Sequence, residues 1–242
     1  MLVCADFNAL EWRTPVALSR DPVGIEELKN KKDVHTANQI EFELPSRLIA
    51  KIYLFRTIFR GSGYAFANDP DFMHVSSDPD FWDEINKRFY KKYKGLDNWH
   101  LTLSQFVTAG QPIIGPTGRS WFIPMGIDQR GNPKIPWNNL TNYPVQGTGA
   151  DIVCLARVSL FNRLRKNKVK FNGKLTTTIH DSIELDVPDN EVEITAKLMY
   201  DVANDIRPNF KKLFDYDLII PFPVEVKAGR NKANMELIPD GN

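Results

Sequence analysis

Leu175-Thr176-Thr177-Thr178-Ile179-His180-Asp181-Ser182-Ile183-Glu184-Leu185-Asp186-Val187 is a pair of β-branched and apolar runs with His180 and Asp181 between them. That composition reads as two strands joined around the polar pair, which puts Asp181 beside a turn. A second aspartate, Asp6, closes the strand-like run Leu2-Val3-Cys4-Ala5, and Val224-Glu225-Val226 reads as a last strand. Between these ends the pattern is mostly helical. Residues 21–61 read as helix, with Ser46 after Pro45 as an N-cap for a run that Gly61 terminates. Residues 80–93 carry Phe81, Trp82, Ile85, Phe89 and Tyr93 at helical spacing. Residues 151–164 and 191–206 read as two more helices, the second stopped by Pro208. Residues 110–138, punctuated by Gly and Pro, read as loops and hairpins. Strands from both ends of the chain around a helical insertion imply an α+β fold with one sheet.

At 242 residues the chain is long enough for one large domain or two small ones. Its 25% of charged residues is ordinary for a globular protein, and a net charge of +1 gives no sign of a polyanionic partner. The local run Arg163, Arg165, Lys166, Lys168 and Lys170 reads as a solvated helix end. Two cysteines, Cys4 and Cys154, supply neither a disulfide framework nor metal-ligand spacing, so a reducing compartment is expected. With no signal sequence and no apolar stretch of bilayer length, the expected place is the cytoplasm, a host cell's if the chain is phage-encoded, with no membrane partner.

Two carboxylates at strand ends suit the open coordination of Mg2+, which favours a few carboxylates plus substrate oxygens. A strand-end aspartate also commonly satisfies turn amides, and neither Asp6 nor Asp181 decides the matter alone. Arg47, Lys51, Phe55 and Phe59 recur at intervals of four, so on a helix they form one slowly winding strip, cationic at one end and aromatic at the other. Such a strip can hold phosphates and stack on a base. It can equally be an amphipathic helix with snorkelling cations above a Phe core. Asn142 and Gln146 suit minor-groove acceptors, and as residues ahead of a helix they also suit caps.

Four segments, in order, resemble the DNA polymerase I family (family A). Asp6-Phe7-Asn8-Ala9-Leu10-Glu11-Trp12-Arg13 is similar to its motif A, and Arg47-x-x-x-Lys51-x-x-x-Phe55-x-x-x-Phe59 keeps the spacing of its motif B. Asn142-Tyr143-Pro144-Val145-Gln146-Gly147-Thr148 resembles its N-x-P-V-Q-G-T segment, and Thr178-Ile179-His180-Asp181 its motif C. The resemblance implies that Asp6 and Asp181 bind two Mg2+ ions, with the carbonyl of Phe7 as a further ligand. It implies that Arg47 and Lys51 grip the dNTP phosphates, that Lys51 also protonates the leaving pyrophosphate, and that Phe55 stacks on the nucleotide. His35, within Asp33-Val34-His35-Thr36, becomes another phosphate contact. Glu11 becomes the gate against a ribose 2′-OH. In the family the closing motif B tyrosine supports that glutamate; Phe59 has no hydroxyl, so weaker ribose discrimination is expected. Asn142, Gln146 and His180 become minor-groove contacts to the primer-template, and Arg119 a backbone contact.

Departures are Ala9 in motif A, Ser182 after the motif C aspartate, and Ser120 and Trp121 where the family has arginines after Arg119. Ser182 leaves open a single-subunit RNA polymerase fragment, and a non-catalytic DNA-binding remnant is the other alternative. The implied organisation is a palm strand at 1–13, fingers at 14–137 with the motif B helix at about 46–60, and palm again at 138–242. Thumb and exonuclease are expected to be absent, so a separate N-terminal polypeptide is the expected partner, as in the two-piece polymerases of some bacteriophages. That partner would pair with an exposed palm edge. The expected activity is DNA-directed DNA synthesis in replication.

Overall fold

The structure is a computed structural model and describes residues 1–166 and 171–240. Lys168 and Lys170 of the basic run lie outside the described residues. In chain order the elements are β1 (Leu2–Phe7), α1 (Leu10–Ser19), α2 (Pro22–Lys29), α3 (Val34–Glu41), α4 (Arg47–Thr57), α5 (Gly63–Ala67), α6 (Pro79–Lys92), α7 (Lys94–Thr108), β2 (Ile113–Ile114), β3 (Ser120–Trp121), β4 (Gly126–Ile127), β5 (Pro133–Lys134), α8 (Trp137–Lys166), β6 (Lys174–Ile179), β7 (Ser182–Asp186), α9 (Val192–Asn204), α10 (Ile206–Phe214), β8 (Val224–Gly229) and β9 (Met235–Leu237). The fold is α+β. It divides into two compact units, residues 1–10 with 147–242, and residues 11–146.

The first unit is built on an antiparallel sheet of order β6-β7-β1-β8-β9. β1 is central: Ala5 lies opposite Ile183 on β7 and Val226 on β8, and Asp6 opposite Ser182 and Glu225. The strand period of two sends Val3, Ala5 and Phe7 to one buried face. Ala5 and Phe7 meet Ala156 and Leu160 of α8 and Met199, Val202 and Ala203 of α9 there. Cys4 and Asp6 consequently share the other face with Ser182, Glu184, Glu225 and Lys227, their cross-strand neighbours.

The second unit holds α1 to α7 and the hairpins β2–β3 and β4–β5. Its core is aromatic. Tyr53 stacks on Trp82 with centroids 6.1 Å apart, Phe66 on Trp82 at 5.4 Å, and Phe72 meets Trp82 edge-on at 5.2 Å. Buried Asp21 ties two helix starts together. Its Oδ1 accepts from Gly24 N of α2 at 2.8 Å, and its Oδ2 from Gly95 N (2.7 Å) and Leu96 N (3.2 Å) of α7. A Cβ on Gly95 would stand 2.6 Å from the Asp21 Cα, so only glycine allows this approach. The Tyr93 hydroxyl donates to Glu27 at 2.8 Å, which joins α2 to the end of α6.

Several sequence expectations need correction. Ser46 caps α4, its Oγ accepting from Ile49 N at 3.2 Å, but the helix ends at Thr57 and Phe59 lies in the turn beyond it. The left-handed residue of that turn is Arg60 (φ 61°), with Gly61 N closing it onto the Arg56 carbonyl at 3.0 Å. The region 21–61 is three helices. α8 starts at Trp137 and includes Pro144, so Asn142 and Gln146 lie within a helix and not ahead of one. Pro208 stops nothing: α9 ends at Asn204, and Pro208 sits in the first turn of α10, where no intrahelical donor is needed. β8 is followed by β9, so 224–226 is not the last strand. The exposed sheet edges belong to β6 and β9, while β1 is paired on both sides.

Candidate functional site

In the first unit, β1 carries Asp6 one residue from its end, and the β6–β7 hairpin carries His180 and Asp181 as its turn. The two elements are joined at this end, since Phe7 N donates to the Asp181 carbonyl at 3.0 Å. His180 adopts a left-handed backbone (φ 50°), and the Ser182 hydroxyl donates to the Ile179 carbonyl at 2.9 Å, so Ser182 closes the tight turn. Partial burial holds the Asp6 carboxyl above the ordinary carboxylate range, and the negative charges of Asp181 and Glu225 add to this. Lys227 opposes the effect, its Nζ 2.6 Å from Glu225. Sequence reading missed Glu225 and Lys227 as neighbours of Asp6, because only strand register reveals them.

In the second unit, α3 and α4 bring a cluster together. Arg47 donates from Nε to Asp33 Oδ2 at 2.7 Å and from Nη2 to Oδ1 at 3.2 Å. Asp33 also caps α3, accepting from His35 N at 3.1 Å and Thr36 N at 3.3 Å. The paired guanidinium drives the Asp33 carboxyl far below its ordinary range. His35 is buried and meets the Phe55 ring edge-on, with centroids 5.8 Å apart. Burial, then the charges of Arg47 and Lys51, depress its pKa and keep its imidazole neutral; its Nδ1 has no hydrogen-bond partner among the described residues. Lys51 is exposed, its ammonium 5.8 Å from the Phe55 centroid. The structure thus gathers Arg47, Lys51, Phe55 and His35, and adds Asp33 as the partner of Arg47.

Phe59 is set apart by the turn that follows α4. Its neighbour Arg60 donates to His100 Nδ1 at 3.0 Å and to Asp97 at 2.5 Å, and lies over the rings of Tyr90 (4.1 Å) and Trp137 (4.9 Å). Glu11, in the first turn of α1, accepts from Gln146 Nε2 of α8 at 3.3 Å. Asn142 is half-buried on α8, and Arg119 stands in the β2–β3 hairpin, where its carbonyl accepts from Gly115 N at 2.7 Å. Nothing local in the sequence pairs Glu11 with Gln146 or Asp33 with Arg47, since each partner lies on a different helix.

Chemically, the first set is a carboxylate pair on a polar sheet face, and the second is an exposed pair of cations flanked by an aromatic ring and a neutral imidazole. Among the described residues, no group of three or more His, Cys, Asp or Glu side chains could hold a metal ion as a protein cage. Nor is any helix there long and apolar enough to cross a membrane.

Known proteins are similar to this chain in sequence and in fold. The chain is 25% identical over 206 residues to DNA polymerase I of Aquifex aeolicus (strain VF5), covering 81% of this chain and 34% of that one. It is 22% identical over 241 residues to the DNA polymerase of Bacillus phage SP01, covering 96% of this chain and 26% of the phage protein. The thermostable DNA polymerase I of Thermus aquaticus is 23% identical over 241 residues, 96% of this chain and 27% of its own. The chain therefore spans about a quarter to a third of these relatives. Among solved structures, the POL domain of Pol1 from M. smegmatis in complex with DNA primer-template and dNTP superposes with a TM-score of 0.78 at 18% identity, over 95% of this chain and 39% of that chain. The family model for DNA polymerase family A matches residues 1–234, and with that match the chain belongs to DNA polymerase family A.

Proposed function

We propose that this chain adds deoxynucleotides from dNTPs to a primer 3′ end under the direction of a DNA template, in DNA replication. Asp6 and Asp181 are the ligands of two Mg2+ ions, with the carbonyl of Phe7 as a further donor. The observation that carries this reading is the junction of β1 with the β6–β7 turn, which places both aspartates at one end of one sheet. Their donor set fits: two like-charged carboxylates, one of them held above its ordinary pKa partly by the other, gain from a divalent cation and leave it open to substrate oxygens. When bound, the ions supply charge neutralisation on the attacking and leaving oxygens.

The remaining roles fall to the side chains. Arg47, released from Asp33, offers a planar fork to phosphate oxygens, and Lys51 offers a mobile point charge that also protonates the pyrophosphate. Neutral His35 adds a hydrogen bond. Phe55 stacks on the incoming base, Phe59 borders the nucleotide from the turn after α4, and Glu11 stands against a ribose 2′-OH. Asn142, Gln146 and His180 contact the minor groove, and Arg119 the DNA backbone. We read residues 1–13 and 138–242 as palm and 14–137 as fingers. The proposed partner is a thumb-bearing polypeptide, which could also carry an exonuclease, and its support is the edges of β6 and β9, backbone on which a strand can be added.

The test is primer extension with Mg2+, with and without a thumb-bearing family A polypeptide, comparing dNTPs with rNTPs. Extension with dNTPs that is lost in Asp181→Ala and on chelation is expected. Extension that survives Asp181→Ala overturns the metal assignment, DNA binding without extension supports the non-catalytic alternative, and preference for rNTPs supports the RNA polymerase alternative.

A further inference from the structure

We propose that Gln146 is a positioning residue for sugar selectivity, holding Glu11 so that the carboxylate cannot swing away from a ribose 2′-OH; this rests on the function proposed above. The Glu11 side chain has three rotatable bonds, and a gate works only if it stays in place. In this structure one of its oxygens, Oε1, accepts from Gln146 Nε2 at 3.3 Å, across 135 positions of sequence. Gln146 is well placed to fix it. Its own side chain is exposed, but its neighbours on α8, Val145 and Thr148, are each 1% exposed, so the helix under the amide is anchored. Phe59 carries no hydroxyl and lies past the end of α4. The donor that Phe59 cannot supply thus comes from another helix, and Glu11 is not left unsupported. A side-chain amide has two N–H donors, so Gln146 can hold Glu11 with one and keep the other for a minor-groove acceptor.

Single-nucleotide incorporation tests this, with kcat/KM measured for a matched dNTP and rNTP on the thumb-supplemented protein. The variants are Gln146→Ala, the nearly isosteric donor-free Gln146→Met, Glu11→Ala, and each Gln146 change combined with Glu11→Ala. Loss of a minor-groove contact lowers both substrates alike and leaves their ratio unchanged. Loss of the hold on Glu11 lowers the dNTP-to-rNTP ratio, by about tenfold for one hydrogen bond to a carboxylate. In the Glu11→Ala background the Gln146 changes are expected to move the ratio no further. Three results overturn the inference while leaving DNA synthesis standing: a ratio within twofold of the parent in both Gln146 variants, an additional fall in the Glu11→Ala background, or an unchanged ratio in Glu11→Ala itself. A parent protein that incorporates neither nucleotide overturns the proposed function, and this inference with it.

Discussion

Arg47 meets any incoming anion already engaged, because its guanidinium is shared in a two-point contact with Asp33. Both side chains are exposed, so the pair contributes little to stability, and its main effect is to aim the fork. It leaves a clear signature. The Asp33 carboxyl is depressed, so whatever stability the pair adds is present above the unfolded pKa and lost as pH falls through the folded value. Titration of Asp33 by NMR should give a midpoint well below the usual range, rising in Arg47→Met while staying depressed by the hydrogen bonds from Thr36; an unmoved midpoint refutes the coupling. Arg60 is the opposite case, largely buried and in a left-handed conformation. Truncation leaves Asp97 and His100 Nδ1 without their donor, so Arg60→Ala should cost about 1–3 kcal/mol in thermal or denaturant unfolding. Arg60→Gly loses the same contacts but relieves the backbone, and should be less costly by about 1 kcal/mol. Equal losses would mean the backbone is unstrained. At this scale the sequence was legible where partners share a helix, as with Arg47, Lys51 and Phe55, and silent where they do not.

Helices in this chain start and stop for reasons that are only partly local. The β6–β7 hairpin was readable from its composition, the start of α4 from its Ser46 cap, and α6 from its apolar period. Proline misled at Pro208, which sits in an opening turn and not at a helix end, and a sequence signal for breaking does not say on which side the break falls. The start of α7 was unreadable for another reason: its own N-terminal neighbour gives no side-chain cap, and Asp21 supplies one from 74 residues away. Asp21→Ala should therefore destabilise by about 2–4 kcal/mol, because buried donors of two helices lose their acceptor together. Asp21→Asn retains a single acceptor oxygen and should fall between alanine and wild type in melting experiments. A loss for alanine no larger than that of one surface cap would show that water satisfies α7 instead.

Across the whole chain, sheet membership was legible but sheet order was not. Four of the five strands could be named from composition, yet nothing in Leu2-Val3-Cys4-Ala5 says that β7 and β8 flank it, because register is decided by residues far along the chain. The aromatic core of residues 11–146 is far more local, with Tyr53, Phe66, Phe72 and Trp82 within thirty positions of one another. Refolding monitored by pulsed hydrogen exchange should accordingly protect amides of α6 before those of β1. Early protection of β1 would count against this order.

The central place of β1 also bears on synthesis. Residues 2–7 leave the ribosome well ahead of the strands on either side, which end at Asp186 and Gly229. At ~5–20 residues per second, the wait between them is on the order of ten to forty seconds. For that time β1 is an apolar strand with both edges bare, a natural client for a nascent-chain chaperone and a starting point for misassembly between neighbouring ribosomes.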